Sequence, residues 1–353
     1  MISEPLNIDG SRGEGGGQIL RTALSLAALS RQPVWIDHIR ANRPKPGLRP
    51  QHLIAVRALA AITGAVVQGD RVDSETLHFA PGAARGGCHD FSINTAGSAV
   101  LVLSAMLPPL LFADAPSRVR VSGGTHVPFS PGFHYFNEIF LPMLNRMGAG
   151  VRASLASWGW YPAGGGRVEM EVNPLAGLGG ISLTARGGLR AVEAVIGLSN
   201  LPEHVGEREQ NWLEAQPRPA NCRWQCRIDK TAAACPGNVV FLKAVFDHGV
   251  AGFSALGRKG KPAEQVAGEA WRDLLHFLDT GAAVDRYLAD QLPLYMALAQ
   301  GESQLTVEKL TTHLRTNIAV IETFLPVRFQ VDEENNTIAV KGIGWGQGRV
   351  DQA

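Results

Sequence analysis

The chain has 353 residues, with 33 lysines and arginines against 32 acidic residues, so its formal net charge is only +1. A balanced charge excludes binding of nucleic acid by the protein surface as a whole, and an anionic ligand would need a local basic patch. The hydrophobic content of 45% is typical of a globular protein with a large core. No segment has the apolar length of a membrane helix or the pattern of a signal peptide, so we expect a cytoplasmic protein.

A glycine-rich segment near the N-terminus, DGSRGEGGGQILR at residues 9–21, leads directly into an apolar helix. Glycines at the beginning of a helix let the backbone approach a ligand closely and point free amide groups at an anion. The segment has neither the lysine of a P-loop nor the spacing of a dinucleotide-binding fingerprint. The pattern leaves a phosphate cradle and a plain tight turn as alternatives, and the charged residues Glu14 and Arg21 favour a binding site.

One arrangement of helices and strands occurs three times along the chain, as expected for a protein longer than a usual single domain. Apolar residues at helical spacing predict paired helices at residues 19–29 and 50–63, 98–112 and 133–147, and 285–299 and 312–325. Alternating β-branched residues predict strands at residues 33–39, 66–68, 118–122, 151–155, 304–307 and 327–331. Each unit would bury two helices against a small sheet, and three units could pack around a shared axis.

The third unit begins much further along the chain than the spacing of the first two predicts. We therefore predict an inserted segment at residues 185–281, with strands at 190–198 and 238–246 and helices at 204–214 and 263–278. It would form a small α/β domain between the two parts of a repeat core, residues 1–184 and 282–345, with a C-terminal tail at 346–353. A single irregular domain is the alternative.

A basic loop follows the first predicted strand and carries Arg40, Arg43, Lys45 and Arg49 within a short stretch that several prolines stiffen. Arginines on a rigid loop suit bidentate contacts to phosphate, because the planar guanidinium loses little freedom on binding. A loop whose charges are simply solvated is the alternative. No aromatic residues alternate with these cations, so a terminal phosphate is a better target than a stack of bases.

Three histidines, His52, His134 and His313, stand near the start of the second helix of each unit. A neutral imidazole, with an ordinary pKa of about 6.5, can attack an electrophile at neutral pH. A histidine in the first turn of a helix can equally be a core residue or a capping partner. The local pattern does not choose among the three.

Several short motifs, taken together, are similar to those of the RNA 3′-terminal phosphate cyclases. In chain order they are GEGGGQILR from residue 13, KPGL from 45, QHL from 51, SGGT from 122, YPAGGG from 161, YLADQ from 287 and HLRTNIAV from 313. The resemblance extends over nearly the whole chain. It implies an α/β (α+β) fold of three units, each with two helices on a four-stranded sheet, around a pseudo-threefold axis and with a smaller inserted α/β domain.

The resemblance also implies a reaction of the ligase class, the ATP-dependent conversion of an RNA 3′-terminal phosphate to a 2′,3′-cyclic phosphate. A histidine takes AMP from ATP with release of pyrophosphate, the AMP passes to the RNA 3′-phosphate, and the ribose 2′-hydroxyl closes the ring and expels AMP. His313 corresponds to that histidine. ATP, a divalent cation (Mg²⁺ or Mn²⁺) and an RNA with a 3′-phosphate end are the implied ligands, and a homodimer is one assembly that the resemblance allows.

Further residues of this chain correspond to functional positions of the family. ATP contacts are implied for Ser104, Pro131, Tyr287, Leu288, Ala289, Asp290 and Gln291, phosphate or RNA contacts for Arg21, Arg40, Arg43 and Gln51, and a contact to the divalent cation for Glu14. Two positions depart from the family pattern. Ser104 stands where the family usually has glutamine, and Trp158 stands where it commonly has histidine or arginine, so the family pattern does not fix the details of nucleotide contact at these two positions.

Two other classes of protein are alternatives to an active cyclase. A cyclase-like factor without catalysis would serve in RNA binding or ribosome assembly, but such relatives lack the histidine that His313 provides. An enolpyruvyl transferase would share the repeat architecture without the inserted domain and without the HLRTN motif. Because one fold can host different activities, the residues of the site decide between these classes.

Overall fold

A computed structural model describes residues 4–218 and 222–346, so residues 347–353 of the predicted tail lie outside the described part. The first unit consists of β1 (Leu6–Asp9), α1 (Gly17–Ser30), β2 (Val34–Asp37), α2 (Pro50–Thr63), β3 (Val66–Gln68) and β4 (Leu77–Ala80). The elements α2 and β3 have the bounds that the sequence predicts. Helix α1 begins slightly earlier than predicted, at the last glycine of the glycine-rich segment.

The second unit has the same order of elements, but its second helix is interrupted by a π-helical turn. Its elements are β5 (Gly87–Ser92), α3 (Ala99–Leu110), β6 (Ser117–Gly123), α4 (Phe133–Tyr135), a π-helical turn (Phe136–Phe140), α5 (Leu141–Arg146), β7 (Arg152–Ser157) and β8 (Gly166–Val172). Pro142 lies just after the π-helical turn and has no N–H, so it cannot donate the usual α-helical hydrogen bond to Glu138. The wider turn forms where that hydrogen bond is missing.

The third unit is interrupted by the inserted segment. After β9 (Ser182–Leu183), the chain forms β10 (Leu189–Ser199), α6 (Glu203–Glu214), β11 (Arg223–Thr231), β12 (Gly237–Phe246), β13 (Val250–Leu256) and α7 (Ala263–Thr280). The unit is completed by α8 (Arg286–Gln291), α9 (Pro293–Leu298), β14 (Gln300–Thr306), α10 (Thr312–Phe324), β15 (Gln330–Asp332) and β16 (Thr337–Ile343). The insertion therefore lies between the first strand and the first helix of the third unit.

Three four-stranded sheets in the described part of the chain share one topology, with strand orders β1-β2-β4-β3, β5-β6-β8-β7 and β9-β14-β16-β15. In each sheet the first two strands of the unit are parallel, and the remaining pairings are antiparallel. This shared topology confirms the predicted α+β fold class with four-stranded sheets, while the pseudo-threefold axis stays a prediction. Another sheet, ordered β11-β10-β12-β13, belongs to the inserted segment.

The helices of the three units form one core in which α1 is central. Helix α1 packs against α2, α3 and α10, and its residues 19–29 are buried except for Arg21. A helix that is apolar on nearly all sides is stable only when other elements surround it. This burial holds the N-terminal end of α1, and with it the glycine-rich segment, in place.

The inserted segment has a hydrophobic cluster of its own, in which α7 packs on β12 and β13 and α6 packs on α7. Val195 of β10 and Phe241 of β12 belong instead to the core of the three units, so the segment is packed against that core. The domain boundaries at 185 and 281 stay a prediction. Within residues 4–218 and 222–346, no helix is both long and apolar enough to cross a membrane.

Candidate active site

The glycine-rich segment forms a tight loop between β1 and α1. Gly13 and Gly15 have φ angles of 57° and 53°, in the left-handed region that favours glycine. A Cβ atom on Gly13 would overlap the hydroxyl group of Thr316 on α10, and one on Gly15 would crowd the side chain of Asn42. The glycines therefore allow the loop to lie against α10 and against the basic loop at the same time.

Three charged side chains meet at this loop. Glu14 Oε2 lies 2.8 Å from His313 Nε2 at the start of α10, and 2.8 Å from Arg43 Nη2 of the basic loop. All three side chains are partly exposed to solvent. The fold thus joins predicted site residues from opposite ends of the chain, and it leaves them accessible to a ligand.

Burial separates the three candidate histidines. His52 and His134 are 4% and 6% exposed, whereas the side chain of His313 is 40% exposed. Burial and nearby guanidinium groups lower the pKa of His52 to about 2, and burial lowers the pKa of His134 to about 4. Nδ1 of His134 is also hydrogen-bonded to Nε2 of the buried His126, at 2.9 Å. Of the three, His313 is the one that a ligand can reach from solvent.

The surroundings of His313 favour the neutral form of its imidazole. Burial lowers the pKa of His313; the carboxylate of Glu14 raises it, and the charges of Arg21 and Arg43 lower it again. The net shift is downward from the ordinary value. A lowered pKa keeps the ring neutral through neutral pH and into the mildly acidic range, and a neutral ring is required of a nucleophile.

This balance of charges can be tested by an NMR titration of the His313 ring without nucleotide. We expect a midpoint below the ordinary value of about 6.5. Arg43→Ala should raise the midpoint, because the variant removes a positive charge close to the ring. Arg315→Ala is the control, since this exposed residue of α10 pairs with Glu333, and it should leave the midpoint nearly unchanged. A wild-type midpoint at or above the ordinary value would contradict this description.

Hydrogen bonds join α8, which carries the YLADQ motif, to the other helices of the site. The Thr311 hydroxyl donates to Asp290 Oδ1 at 2.6 Å and also caps the N-terminus of α10. Asn317 Nδ2 donates to the backbone oxygen of Asp290 at 2.8 Å, and its Oδ1 accepts from the Thr22 hydroxyl at 2.7 Å. The network connects α8, α10 and α1, so His313 is held in a defined place relative to the glycine-rich loop.

The predicted ATP residues on α8 differ in accessibility. Leu288 and Ala289 are fully buried, whereas Tyr287 is 42% exposed and presents an aromatic ring to solvent. Gln291 Nε2 donates to the backbone oxygen of Tyr287 at 2.9 Å. Burial raises the pKa of Asp290 to about 7, which leaves this carboxyl group partly protonated at neutral pH. Tyr287 is therefore the side chain of this motif that is best placed to meet a planar ligand.

The predicted phosphate residues fall into two groups. Arg40 Nη1 donates to two backbone oxygens of its own loop at 2.7 and 2.8 Å, and Gln51 Oε1 accepts from the backbone N–H of Ser98 at 2.9 Å. The Arg40 contacts maintain the shape of the basic loop, whereas the Gln51 contact joins the start of α2 to the N-cap of α3. Arg43 contacts Glu14, and Arg21 lies close enough to lower the pKa of His313. Burial lowers the pKa of Arg21 to about 10, so this group stays charged at neutral pH.

Three predicted positions belong to the second unit. The hydroxyl oxygen of Ser104 on α3 is buried and has no hydrogen-bond partner among the described residues, so it remains free for a ligand or a water molecule. Pro131 is partly buried in the loop between β6 and α4. Trp158 is buried and stacks on His126, with the ring centroids 4.7 Å apart, so it contributes to packing rather than to an open site.

The donor groups at the site fit a magnesium-type cation better than a zinc ion. Among the described residues, no group of three or more His, Cys, Asp or Glu side chains could hold a metal ion. A zinc-type site with three or four protein ligands is therefore a poor fit. The single carboxylate of Glu14 fits a cation of the magnesium type, which keeps several waters and is held by one or two carboxylates together with substrate phosphates.

Sequence patterns assign no role to three residues that support the site, Thr22, Thr311 and Asn317. Thr311 carries a recognisable signal, because a threonine just before a predicted helix is a common N-cap. Thr22 and Asn317 are polar residues on buried helix faces. Their hydrogen-bond partners lie on other helices, so spacing along the chain could not identify them.

Residues 12–331 match the family described as RNA 3′-terminal phosphate cyclase. The RNA 3′-terminal phosphate cyclase of Ralstonia nicotianae is 47% identical over 337 residues, which cover 95% of this chain and 96% of that protein. The protein of the same name from Nostoc punctiforme is 43% identical over 345 residues, 96% of this chain and 99% of that protein. The one from Salmonella agona is 45% identical over 335 residues, with 94% and 96% covered.

Among solved structures, the enolpyruvyl transferase NikO from Streptomyces tendae matches 97% of this chain and 82% of its own, at 14% identity and a TM-score of 0.25. A match at this level supports no argument about this chain. The sequence matches, by contrast, extend over nearly the full length of the named relatives. The family match includes the glycine-rich loop, the basic loop and the start of α10. The chain therefore belongs to the RNA 3′-terminal phosphate cyclase family.

Proposed function

We propose that this protein uses ATP to convert the 3′-terminal phosphate of an RNA to a 2′,3′-cyclic phosphate, through AMP bound covalently to His313. The observation that carries the proposal is a partly exposed histidine with a lowered pKa, whose Nε2 lies 2.8 Å from Glu14 Oε2. Two arginines of the glycine-rich segment and the basic loop add positive charge there. Membership of the family supports the reaction class.

In the first step, His313 Nε2 would donate its lone pair to the α-phosphorus of ATP. A nitrogen–phosphorus bond forms while the bond to the bridging oxygen breaks, and pyrophosphate leaves with that electron pair. Arg21 and Arg43 would stabilise the negative charge that develops on the phosphate oxygens. The glycine-rich loop would bring backbone amides close to the same phosphates.

In the next steps, an oxygen of the RNA 3′-phosphate would attack the AMP phosphorus, and His313 recovers its lone pair as the nitrogen–phosphorus bond breaks. The ribose 2′-hydroxyl oxygen then attacks the 3′-phosphorus, its proton passes to solvent, and AMP leaves as the ring closes. Arg40 and Arg43 on the basic loop, together with Gln51 at the start of α2, would bind the phosphates of the RNA end.

Glu14 would have two roles at the site. Its carboxylate only accepts hydrogen bonds, so in the free protein the His313 Nε2 that lies beside it carries a proton. Attack on ATP requires the other tautomer of His313, with the proton on Nδ1. The hydrogen bond between His313 Nε2 and Glu14 Oε2 would therefore have to break before the attack. Glu14 would also hold Mg²⁺ or Mn²⁺, and the bound cation would neutralise phosphate charge and assist the departure of pyrophosphate.

The nucleotide itself would bind at α8. The partly exposed ring of Tyr287 would stack on the adenine, and Asp290 and Gln291 follow on the same helix. The buried Leu288 and Ala289 would contribute through their backbone. Ser104 and Pro131 of the second unit stay predicted contacts of the nucleotide.

The proposal is tested by incubating the protein with Mg²⁺ and ATP labelled at the α-phosphate, and then adding RNA with a 3′-phosphate. We expect an acid-labile, alkali-stable label on the protein, the behaviour of a phosphorus–nitrogen bond, and its release as AMP while the RNA end becomes cyclic. RNA with a 3′-hydroxyl end is the control and should leave the label on the protein. A protein that takes no label and leaves the RNA end unchanged would reject the proposed function.

A further inference from the structure

Arg286 is the first residue of α8, and its side chain connects this helix to two other parts of the molecule. Its Nη1 donates to Glu308 Oε1 at 3.2 Å, and its Nη2 donates to Asp273 Oδ2 at 2.9 Å. Glu308 follows β14 in the third unit, whereas Asp273 lies on α7 of the inserted segment. One guanidinium group thus links the predicted nucleotide helix, the repeat core and the inserted segment.

The buried carboxylate of Glu308 anchors one side of the Arg286 guanidinium. The Glu308 side chain is 1% exposed, and a buried carboxylate is stable only when a cation and hydrogen bonds compensate for the lost water. Arg286 supplies both, because its backbone N–H also donates to Glu308 Oε2 at 3.0 Å. His276 of α7 lies 3.8 Å from the same carboxylate. The guanidinium of Arg286 is therefore held from two sides, by Glu308 and by Asp273.

The held guanidinium lies over the ring of Tyr287. Arg286 Cζ is 5.0 Å from the ring centroid, and Nη2 donates to Tyr287 Oη at 3.3 Å. The ring of Tyr135 meets the same tyrosine edge-on, with centroids 6.0 Å apart and planes at 80°. A cation over one face and an aromatic edge define the plane of the Tyr287 ring. Tyr287 is still 42% exposed, so part of this side chain remains open to solvent.

Asp285, the residue before Arg286, makes a second link to the inserted segment. It is fully buried, and its Oδ1 accepts from the Tyr135 hydroxyl at 2.7 Å and from the backbone N–H of Tyr287 at 2.9 Å. Its Oδ2 accepts from the backbone N–H of Gly252 on β13 at 3.3 Å. The two residues that precede the YLADQ motif therefore attach α8 to both β13 and α7.

We propose that Arg286 is a positioning residue: anchored by Glu308 and Asp273, it holds the Tyr287 ring in the plane that stacks on the adenine of ATP. The inserted segment thereby takes part in nucleotide binding through Asp273. The inference rests on the proposed function, because it concerns the ATP that His313 would consume. If Arg286 served only to neutralise Glu308, nucleotide affinity would not depend on Asp273 or on the planar shape of the cation.

The test measures the ATP dependence of His313 adenylylation, together with calorimetric binding of α,β-methylene-ATP. In Arg286→Ala we expect the KM for ATP and the Kd of the analogue to rise about tenfold, as for the loss of an aromatic stacking contact. The kcat for adenylylation should change less than about threefold, because the interaction is the same in the ground state and the transition state.

Two further variants keep the proposal testable if Arg286→Ala does not fold. Asp273→Ala removes a partner that is 37% exposed, so it leaves no buried charge unpaired. We expect it to raise the KM about threefold, with no further rise when it is added to Arg286→Ala. Arg286→Lys keeps a cation near Glu308 but has no planar guanidinium to cover the ring, so it should fold normally and keep a raised KM. Arg272→Ala, an exposed neighbour on α7, is the control and should leave the KM unchanged.

Each outcome decides one part of the inference. A wild-type KM and Kd in folded Arg286→Ala, or in Arg286→Lys where the alanine variant does not fold, would overturn the positioning role. A raised KM in the Arg286 variants with no change in Asp273→Ala would overturn the role of the inserted segment. A wild-type protein that takes no AMP would reject the proposed function instead, and binding of the analogue would still decide the role of Arg286.

Discussion

Replacement of His313 by alanine is expected to abolish labelling of the protein by α-labelled ATP, with a fall of at least about 10³-fold in the rate of adenylylation. The variant keeps Glu14, Arg21 and Arg43 but has no nitrogen that could bond to the α-phosphorus. Because the His313 side chain is partly exposed, its truncation should cost less than about 1 kcal/mol of folding free energy. Label retained on the denatured protein measures the adduct, and thermal unfolding measures stability.

His204→Ala is the matched control for this variant. His204 also lies in the first turn of a helix, α6, and is exposed, so its loss should leave adenylylation at the wild-type rate. Persistent label on a folded His313→Ala protein would show that another residue accepts AMP. His52 and His134 are poor candidates for such a residue, because both are buried in the core.

Glu14→Gln is expected to lower the rate of adenylylation about 10²-fold at neutral pH, and to raise the Mg²⁺ concentration needed for half-maximal rate. A neutral amide is a weak ligand for Mg²⁺ and pairs less strongly with Arg43 than a carboxylate does. The loss cannot come from protonation of His313. Glu14 raises the pKa of His313, so its neutralisation lowers that pKa further, and the fall in rate on acidification should move to lower pH.

The corresponding control is Glu75→Gln, which changes an exposed glutamate of the same unit. This variant should keep the wild-type rate and Mg²⁺ dependence. If Glu14→Gln retained a rate within about twofold of the wild type at every Mg²⁺ concentration, the proposed role of Glu14 in cation binding would be wrong.

Most helices of this fold were predictable because they carry an apolar pattern of their own, although the helix predicted at 285–299 is two helices, α8 and α9, in the structure. The predicted helix at residues 50–63 has the same bounds as the observed α2. Its ends were predictable because Pro50 favours the start of a helix and Gly64 favours its end. Strands such as β9, which has two residues, carry too little sequence to form a pattern. They are strands because a neighbouring strand pairs with them, and that neighbour can be far along the chain.

The sequence by itself determined the repeated helix–strand units, the inserted segment, the basic loop and the motifs that resemble one enzyme family. Those features depend on local spacing, which a single chain displays. Only the tertiary structure decided that His313 is accessible while His52 and His134 are buried, and that Glu14 lies between His313 and Arg43. It also decided that Arg286 joins α8 to the inserted segment. Burial and charge at a residue depend on groups from distant segments, and these come together only when the chain folds.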